Sequence, residues 1–515
     1  MNDRDAHYAW VRRRRESAGG DVAFMAWLTK SRFLSGLQCH KRLWFEIHQP
    51  LEEAIVPNAA MLQGRAFDEV VRHLRPGEVI SRDAGMPAAI AQTKKVLAKG
   101  AGAPSTLYQP AFRAGNLAVI VDMLRRSGAA FDLIEVKAST QVKERHLPDA
   151  AFQALVLQRS RIPVGRVFIG HVNNQFVLRT IGDYEGLLTE IDVTDEVQKY
   201  LPESAAKALE FQEIMARQTM PAVAVGPQCT DPYECPFLAR CSAAVEAAKF
   251  PVDLLPRGTK IVDELRAEGF LDLRDVPVDR LTNAMHRRVH QATVSGAPFF
   301  DPAVTADLRG LPYPFSYLDF ETMGFAVPEV IGSRPYEQLP FQWSVHVEHS
   351  PIDVRHAEYL AIESFGDFER LANALIDAIP VEGAIFAYNA SFEAGVLSRL
   401  ADRLPAQAAA LRALVARLVD LLTITRAAYY HRDMRGSWSL KSVVPTISAE
   451  LAYENLDEVH EGDAAQLAFL ELRGAGVMRE REAALRRALL RYCAHDTWVM
   501  VVLRRFLYAE GIGKL

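Results

Sequence analysis

At 515 residues the chain is too long for one small domain; against a typical domain of roughly 150 residues it predicts about three units, or two large ones with a connector. A composition of 49% hydrophobic and 24% charged residues is that of a soluble globular protein and excludes wholesale disorder. With 59 basic and 64 acidic side chains the net charge is −5, so the chain is not one that coats polyanions by bulk charge, and nucleic acid would have to be met by local patches. No apolar run approaches the ~20 residues of a membrane helix, and the first 21 residues hold no apolar stretch of signal-peptide length. A cytoplasmic location without membrane association is expected.

In chain order, residues 1–26 read as a flexible tail with a run of four arginines, Arg12 to Arg15, either a solvated extension or an arm that touches nucleic acid. Residues 27–245 mix helical patterns (GRAFDEVVRHL, DAAFQALVLQRS) with extended ones (NLAVIVDMLR, FDLIEVKAS), which predicts one α/β or α+β domain. Residues 246–312 are richer in Pro and Gly and carry short helical segments, a small helical connector. Residues 313–515 begin with the strands SYLDFETM and GAIFAYNA and continue into long helices, a second α/β domain.

In AVIVDMLRRSGAAFDLIEVKAST two strands surround a turn at Arg126 to Gly128. Period-two alternation sets Glu135 and Lys137 on one face, able to meet Asp122 across the hairpin. Two carboxylates can hold Mg²⁺ or Mn²⁺ through hard oxygens while a lysine steadies developing charge, the set that phosphodiester cleavage needs. The plain alternative is a surface hairpin with a cross-strand ion pair.

Five cysteines are too few for a disulfide framework and point instead to metal or redox chemistry. Cys229, Cys235 and Cys241 are spaced C-x5-C-x5-C, and Cys39 lies far upstream in GLQCHKRLWF. Four thiolates complete a metal set, but the two short knuckles of most zinc fingers are lacking, which leaves an iron–sulfur cluster, zinc or free thiols open. Cys493, inside an apolar helix, reads as a core residue.

Toward the C-terminal end, Asp319 and Glu321 share a strand face in SYLDFETMG, and two acids in an apolar strand call for a neutralising cation. Asn389 and Glu393 stand at a strand-to-helix junction, where each could instead be a helix cap and a first-turn acid. Tyr492 and Asp496 lie one helical turn apart. Arg486, Arg487 and Arg491 near that helix, and Lys41 with Arg42 beside Cys39, are cations that could reach phosphates or simply face solvent.

The front segment, from Leu28 to Cys241, resembles the RecB-like branch of the PD-(D/E)XK nucleases, in particular CRISPR-associated and AddAB-type members with an iron–sulfur cluster. That resemblance implies a restriction-endonuclease-like fold, a metal held by Asp122 and Glu135, Lys137 as catalytic lysine and Gln153 as the downstream helix glutamine. It also implies a structural [4Fe–4S] cluster on Cys39, Cys229, Cys235 and Cys241. Several relatives have a metal-binding histidine where this chain has Asp68 followed by Glu69.

The order D-x-E, N-x3-E, Y-x3-D resembles the tyrosine variant of the DEDD exonucleases, a DnaQ-like class with a ribonuclease-H-like fold. More closely, residues 315–496, with GSWSLKSVVP and Asp420, are similar to an uncharacterised bacterial domain family often joined to RecB-like modules. This implies two Mg²⁺ held by Asp319, Glu321, Glu393 and Asp496, with Tyr492 orienting water and Asp420 either supporting the site or capping a helix. Most DEDD exonucleases have aspartate where this chain has Glu393. The expectation is a two-site, metal-dependent nuclease acting on DNA. The competing readings are a ribonuclease and a nucleic-acid-binding or assembly protein with an inactive C-terminal domain.

Overall fold

The computed structural model describes residues 26–51, 58–243, 248–456, 458–474 and 476–510; the tail with Arg12 to Arg15 lies outside the described residues. The chain is mixed α/β and divides into two compact units, residues 1–246 with 326–335, and residues 247–325 with 336–515. Residues 247–312, expected as a separate connector, belong to the second unit. Among the described residues, no helix is long and apolar enough to cross a membrane.

The first unit runs through β1 (Leu28–Thr29), α1 (Lys30–Gln38), α2 (His40–His48), α3 (Ala59–Leu74), β2 (Glu78–Val79), β3 (Thr106–Tyr108), β4 (Ala111–Ala114), β5 (Leu117–Ile120) and β6 (Met123–Ser127). It continues through β7 (Ala130–Lys137), α4 (His146–Arg159), β8 (Val164–Val172), β9 (Leu188–Asp192) and α5 (Thr194–Ala216). Thr29 caps α1, its hydroxyl accepting from the Arg32 N–H at 3.5 Å, and Asn58 caps α3, accepting from the Met61 N–H at 2.9 Å. Gln63, Phe67 and Val71, four apart on α3, form its buried stripe.

A six-stranded sheet has the order β2-β3-β6-β7-β8-β9, and a three-stranded sheet the order β1-β5-β4. Strand β7 is antiparallel to β6, parallel to β8, and buried from Phe131 to Val136. Burial on both faces explains the nearly unbroken apolar run FDLIEV and obliges its acids to find partners. The core behind it stacks Phe33 on Phe152 with centroids 4.5 Å apart. The stretch NLAVIVDMLR, expected as extended, holds two strands: β5 and β6 pair in different sheets, and Asp122 sits where the chain passes from one to the other.

The second unit contains α6 (Ala284–Ser295), β10 (Phe299–Phe300), β11 (Phe315–Met323), β12 (Leu339–Ser350), β13 (Asp353–Leu360), β14 (Ile385–Ala387), α7 (Ser391–Arg403), β15 (Leu418–Asp420), α8 (Leu421–Ala428), β16 (Tyr429–Tyr430), α9 (Leu440–Val443) and α10 (Arg479–Glu510). Its main sheet has the order β13-β12-β11-β14-β15, with β11 antiparallel to β12 and parallel to β14. Pairing of β10 with β16, and the Arg288 guanidinium on the Arg426 carbonyl, tie residues 247–312 into this unit; α6 alone buries Val289 and Ala292. Helix α10 packs on β11 and β12.

Candidate functional sites

In the first unit β7 carries Glu135, fully buried, and Lys137 on the same face. The Lys137 ammonium lies 2.5 Å from Glu135 Oε1 and 2.6 Å from Asp149 Oδ2. Asp122 reaches the same place, its Oδ2 accepting from the Val136 N–H at 3.0 Å. From α4, the buried Gln153 amide donates to Glu135 Oε2 at 2.6 Å and to Asp149 Oδ1 at 3.0 Å, while its own Oε1 has no partner. The structure therefore brings together all four residues expected at the front. It adds two that sequence reasoning missed, Asp149 and Lys30; the Lys30 ammonium is 2.8 Å from Glu135 Oε1. Asp149 lies four residues before Gln153 on one helix face, a spacing that could have revealed it.

Charge is distributed unevenly over this cluster. Burial pushes the Asp122 carboxyl up, and the neighbouring Glu135 charge pushes it further. Burial acts on Glu135 in the same sense, but Lys30 and Lys137 outweigh it and hold that carboxyl well below the usual range. On α3, Asp68 is half-buried and raised to about 6, chiefly by burial, with Arg72 opposing and Glu135 adding. Glu69 is exposed, so Asp68 is the member of the pair that senses the cluster. A groove of about 900 Å³ opens beside Lys137 and Asp149 and includes Arg145 and Tyr233, the guanidinium 5.3 Å from the ring centroid.

Cys39, Cys229, Cys235 and Cys241 line one small cavity with Phe45 and Phe237. Cys39 separates α1 from α2 in extended conformation, and the amide of Gln38 beside it donates to the carbonyls of Gln228 and Tyr233, both at 2.7 Å. Phe45 stacks on Phe237 at 5.1 Å, and Arg240 donates to the Gln49 carbonyl at 2.9 Å. Burial pushes the Cys235 thiol up, and Cys39 and Cys229 add to the rise. Arg42 is engaged by Glu46 at 3.1 Å, and Lys41 lines the thiol cavity.

In the second unit Asp319 and Glu321 project from the same face of β11, with a β-bulge between Glu321 and Thr322 in its pairing with β12. Asp496 comes from α10. One oxygen from each of Asp319, Glu321 and Asp496 lies within 4.8 Å of the others. Glu393, in the first turn of α7 just beyond β14, is buried and outside that convergence, yet its charge is felt by both Asp319 and Glu321. Its Oε2 has no hydrogen-bond partner. The group thus stands at the carboxyl ends of the parallel strands β11 and β14, where open α/β sheets place their sites.

Burial, then Asp496, Glu321 and Glu393, hold Asp319 well above the usual carboxylate range, and burial with Asp496 does the same for Glu321. Burial raises Glu393 to about 8. Asp496 is also raised by burial, against the opposing effect of Tyr453, Lys441 and Tyr492. Tyr492 is buried one turn before Asp496, whereas His495 is directed elsewhere, its Nε2 2.9 Å from the Leu451 carbonyl. Sequence reasoning missed Tyr453, whose hydroxyl donates to Asp496 Oδ1, and Lys441, which sits inside a quoted motif and 5.7 Å from the Tyr453 ring centroid.

Four further expectations are refined. Asn389 does not cap α7: its backbone is left-handed (φ 76°), and Ala390 holds the cap position. Asp420 is both helix cap and support, accepting from the N–H groups of Leu422 at 3.0 Å and Asn389 at 3.1 Å. Cys493 is buried as expected but also touches the site, its sulfur 3.5 Å from Asp319 Oδ2. Arg486 is tied to Glu482 at 3.1 Å and to Glu363.

Residues 316–439 match a domain of unknown function, DUF2779. The chain is also similar to the uncharacterized protein MG366 of Mycoplasma genitalium, 26% identical over 211 residues, 37% of this chain and 31% of that protein. The chain thus spans less than a third of the length of that relative.

Proposed function

We propose that the chain is a divalent-metal-dependent nuclease with two sites. The observation that carries this reading is the second unit's acid group: three carboxylates converge within 4.8 Å, and a fourth, Glu393, has a buried oxygen without a partner. Like charges so placed cannot all ionise unless a cation joins them. Asp319, Glu321 and Asp496 would hold Mg²⁺ or Mn²⁺, with Glu393 completing the set; bound there, the metal supplies Lewis-acid polarisation of a phosphate. Tyr492, beside Asp496, would orient the attacking water, and the Tyr453 hydroxyl holds the Asp496 carboxylate. Strand order β13-β12-β11-β14-β15 supports the ribonuclease-H-like reading.

At the front, Asp122 and Glu135 are the corresponding ligands, in keeping with the PD-(D/E)XK resemblance. Lys137 is the group that meets the reacting phosphate or its water, and Gln153 holds Glu135 in place. DNA is the favoured substrate. Incubation of end-labelled single- and double-stranded DNA and RNA with Mg²⁺, Mn²⁺ or chelator tests this: metal-dependent shortening supports it, and intact substrates in every metal oppose it. One observation favours the second reading, a binding or assembly protein whose C-terminal domain is inactive: Glu393 stands outside the tight convergence. Glu393→Asp distinguishes the two, since gain of nucleotide release would mean that only the reach of the carboxylate limits the site.

The four cysteines would hold a [4Fe–4S] cluster. Four thiols with no acid among the lining residues are a soft donor set. The cluster would close a loop from Cys39 to Cys241. Cys39→Ser is then expected to bleach absorbance near ~400 nm and to make the first unit protease-sensitive, because a metal clip restrains the unfolded chain. A variant that keeps its colour and its protease resistance would place Cys39 outside the cluster.

A further inference from the structure

We infer that Lys30 is the resident cation of the front site and sets the affinity of the divalent ion by competing with it for Asp122 and Glu135. The inference rests on reading those two acids as metal ligands. Three distances motivate it. The Lys30 ammonium is 2.8 Å from Glu135 Oε1, 3.8 Å from Asp122 Oδ1 and 3.8 Å from Asp149 Oδ1. It therefore bridges the pair that would hold the ion, whereas Lys137 bridges Glu135 and Asp149.

Helix stability does not account for this placement. Lys30 is the first residue of α1, at the positive end of the helix dipole, where a cation is disfavoured. Burial works against its charge as well, and Asp122, Glu135 and Asp149 offset both effects. The contrast with the second unit is direct. There three acids converge within 4.8 Å; at the front, among the described residues, no three acids do, and ammonium groups lie between them. The Lys30 side chain keeps 25% of its surface exposed, and four methylene groups give it room to withdraw toward water when an ion takes its oxygens. Lysine thus keeps the acids together without metal and raises the metal concentration needed to load them.

The test uses the full chain with Asp319→Ala and Glu321→Ala, which removes the other metal site, and reads Mn²⁺ binding by titration calorimetry and melting in chelator. Lys30→Met and Lys30→Gln are expected to bind Mn²⁺ about tenfold more tightly or better, since a like charge ~4 Å away is gone. Both are expected to melt lower than the parent in chelator, and Lys30→Arg to retain the parent's weaker binding. Unchanged or weaker Mn²⁺ affinity in both neutral variants would overturn the competition while leaving the front metal site in place. No Mn²⁺ binding in the parent or either variant would overturn it together with the metal reading of the front acids. Should the methionine variant fail to fold, the glutamine and arginine variants decide.

Discussion

Replacing Asp319 and Glu321 together by alanine is expected to abolish nucleotide release by the second unit, a thousandfold loss or more, corresponding to ~4 kcal/mol of lost transition-state stabilisation. The same substitution should change the dependence of stability on pH. Asp319 and Glu321 have folded-state pKa values raised above the ordinary carboxylate range, so the folded form binds protons more tightly than the unfolded one. Their stabilisation is therefore present at low pH and lost as pH rises from that range through the raised values. In chelator, wild type should melt progressively lower as pH rises above the ordinary carboxylate range, and the double variant should lose less. Saturating Mn²⁺ at ~100 times its Kd should restore wild type by about 5–10 °C, more at high pH than at low, and leave the double variant's second unit unmoved. Thermal melting at several pH values with and without Mn²⁺ reads all of this.

Lys137→Met is expected to lower cleavage at the front site by about 10²–10⁴-fold, the range for removal of a group that moves or steadies a proton in the transition state. The loss has to be measured with the second site already disabled. Some destabilisation accompanies it, because Asp149 loses the ammonium 2.6 Å away and keeps Lys30 at 3.8 Å. Lys137→Arg separates the two effects. A guanidinium preserves the ion pair with Asp149 and hence the fold, but it cannot give up its proton, so the variant should melt like wild type and cleave poorly. Full cleavage by Lys137→Arg would show that only charge is needed at this position.

Most of the parts of both sites that lie within one element were legible in the sequence, Asp149 beside Gln153 on α4 being the exception. Alternation along β7 set Glu135 beside Lys137, alternation along β11 set Asp319 beside Glu321, and a helical turn set Tyr492 by Asp496. Those relations follow from strand and helix periods alone. Residues delivered across the fold were not legible. Lys30 meets Glu135 over 105 positions and Tyr453 meets Asp496 over 43, distances that no local period spans. Asp122 was placed across the hairpin from Glu135 and Lys137, but not where the chain leaves one sheet for another, because an apolar run reads alike whether it pairs in one sheet or two. The choice between Asp68 and Glu69 was open since both lie near the edge of the apolar stripe of α3, and only the packing of that helix distinguishes them. For residues 247–312 composition suggested a separate connector, whereas burial of α6 and the pairing of β10 with β16 place them in the second unit.

If both acid groups hydrolyse phosphodiesters as proposed, disabling one should leave the activity of the other. The most direct measurement compares four full-length proteins on end-labelled single-stranded DNA with Mn²⁺: wild type, Lys137→Met, Asp319→Ala with Glu321→Ala, and the three substitutions combined. Wild type should shorten the substrate, each partial variant should retain the activity of the site left intact, and the combined variant should leave the DNA whole. Cleavage by the combined variant at the wild-type rate, or intact DNA with wild type, would contradict the account.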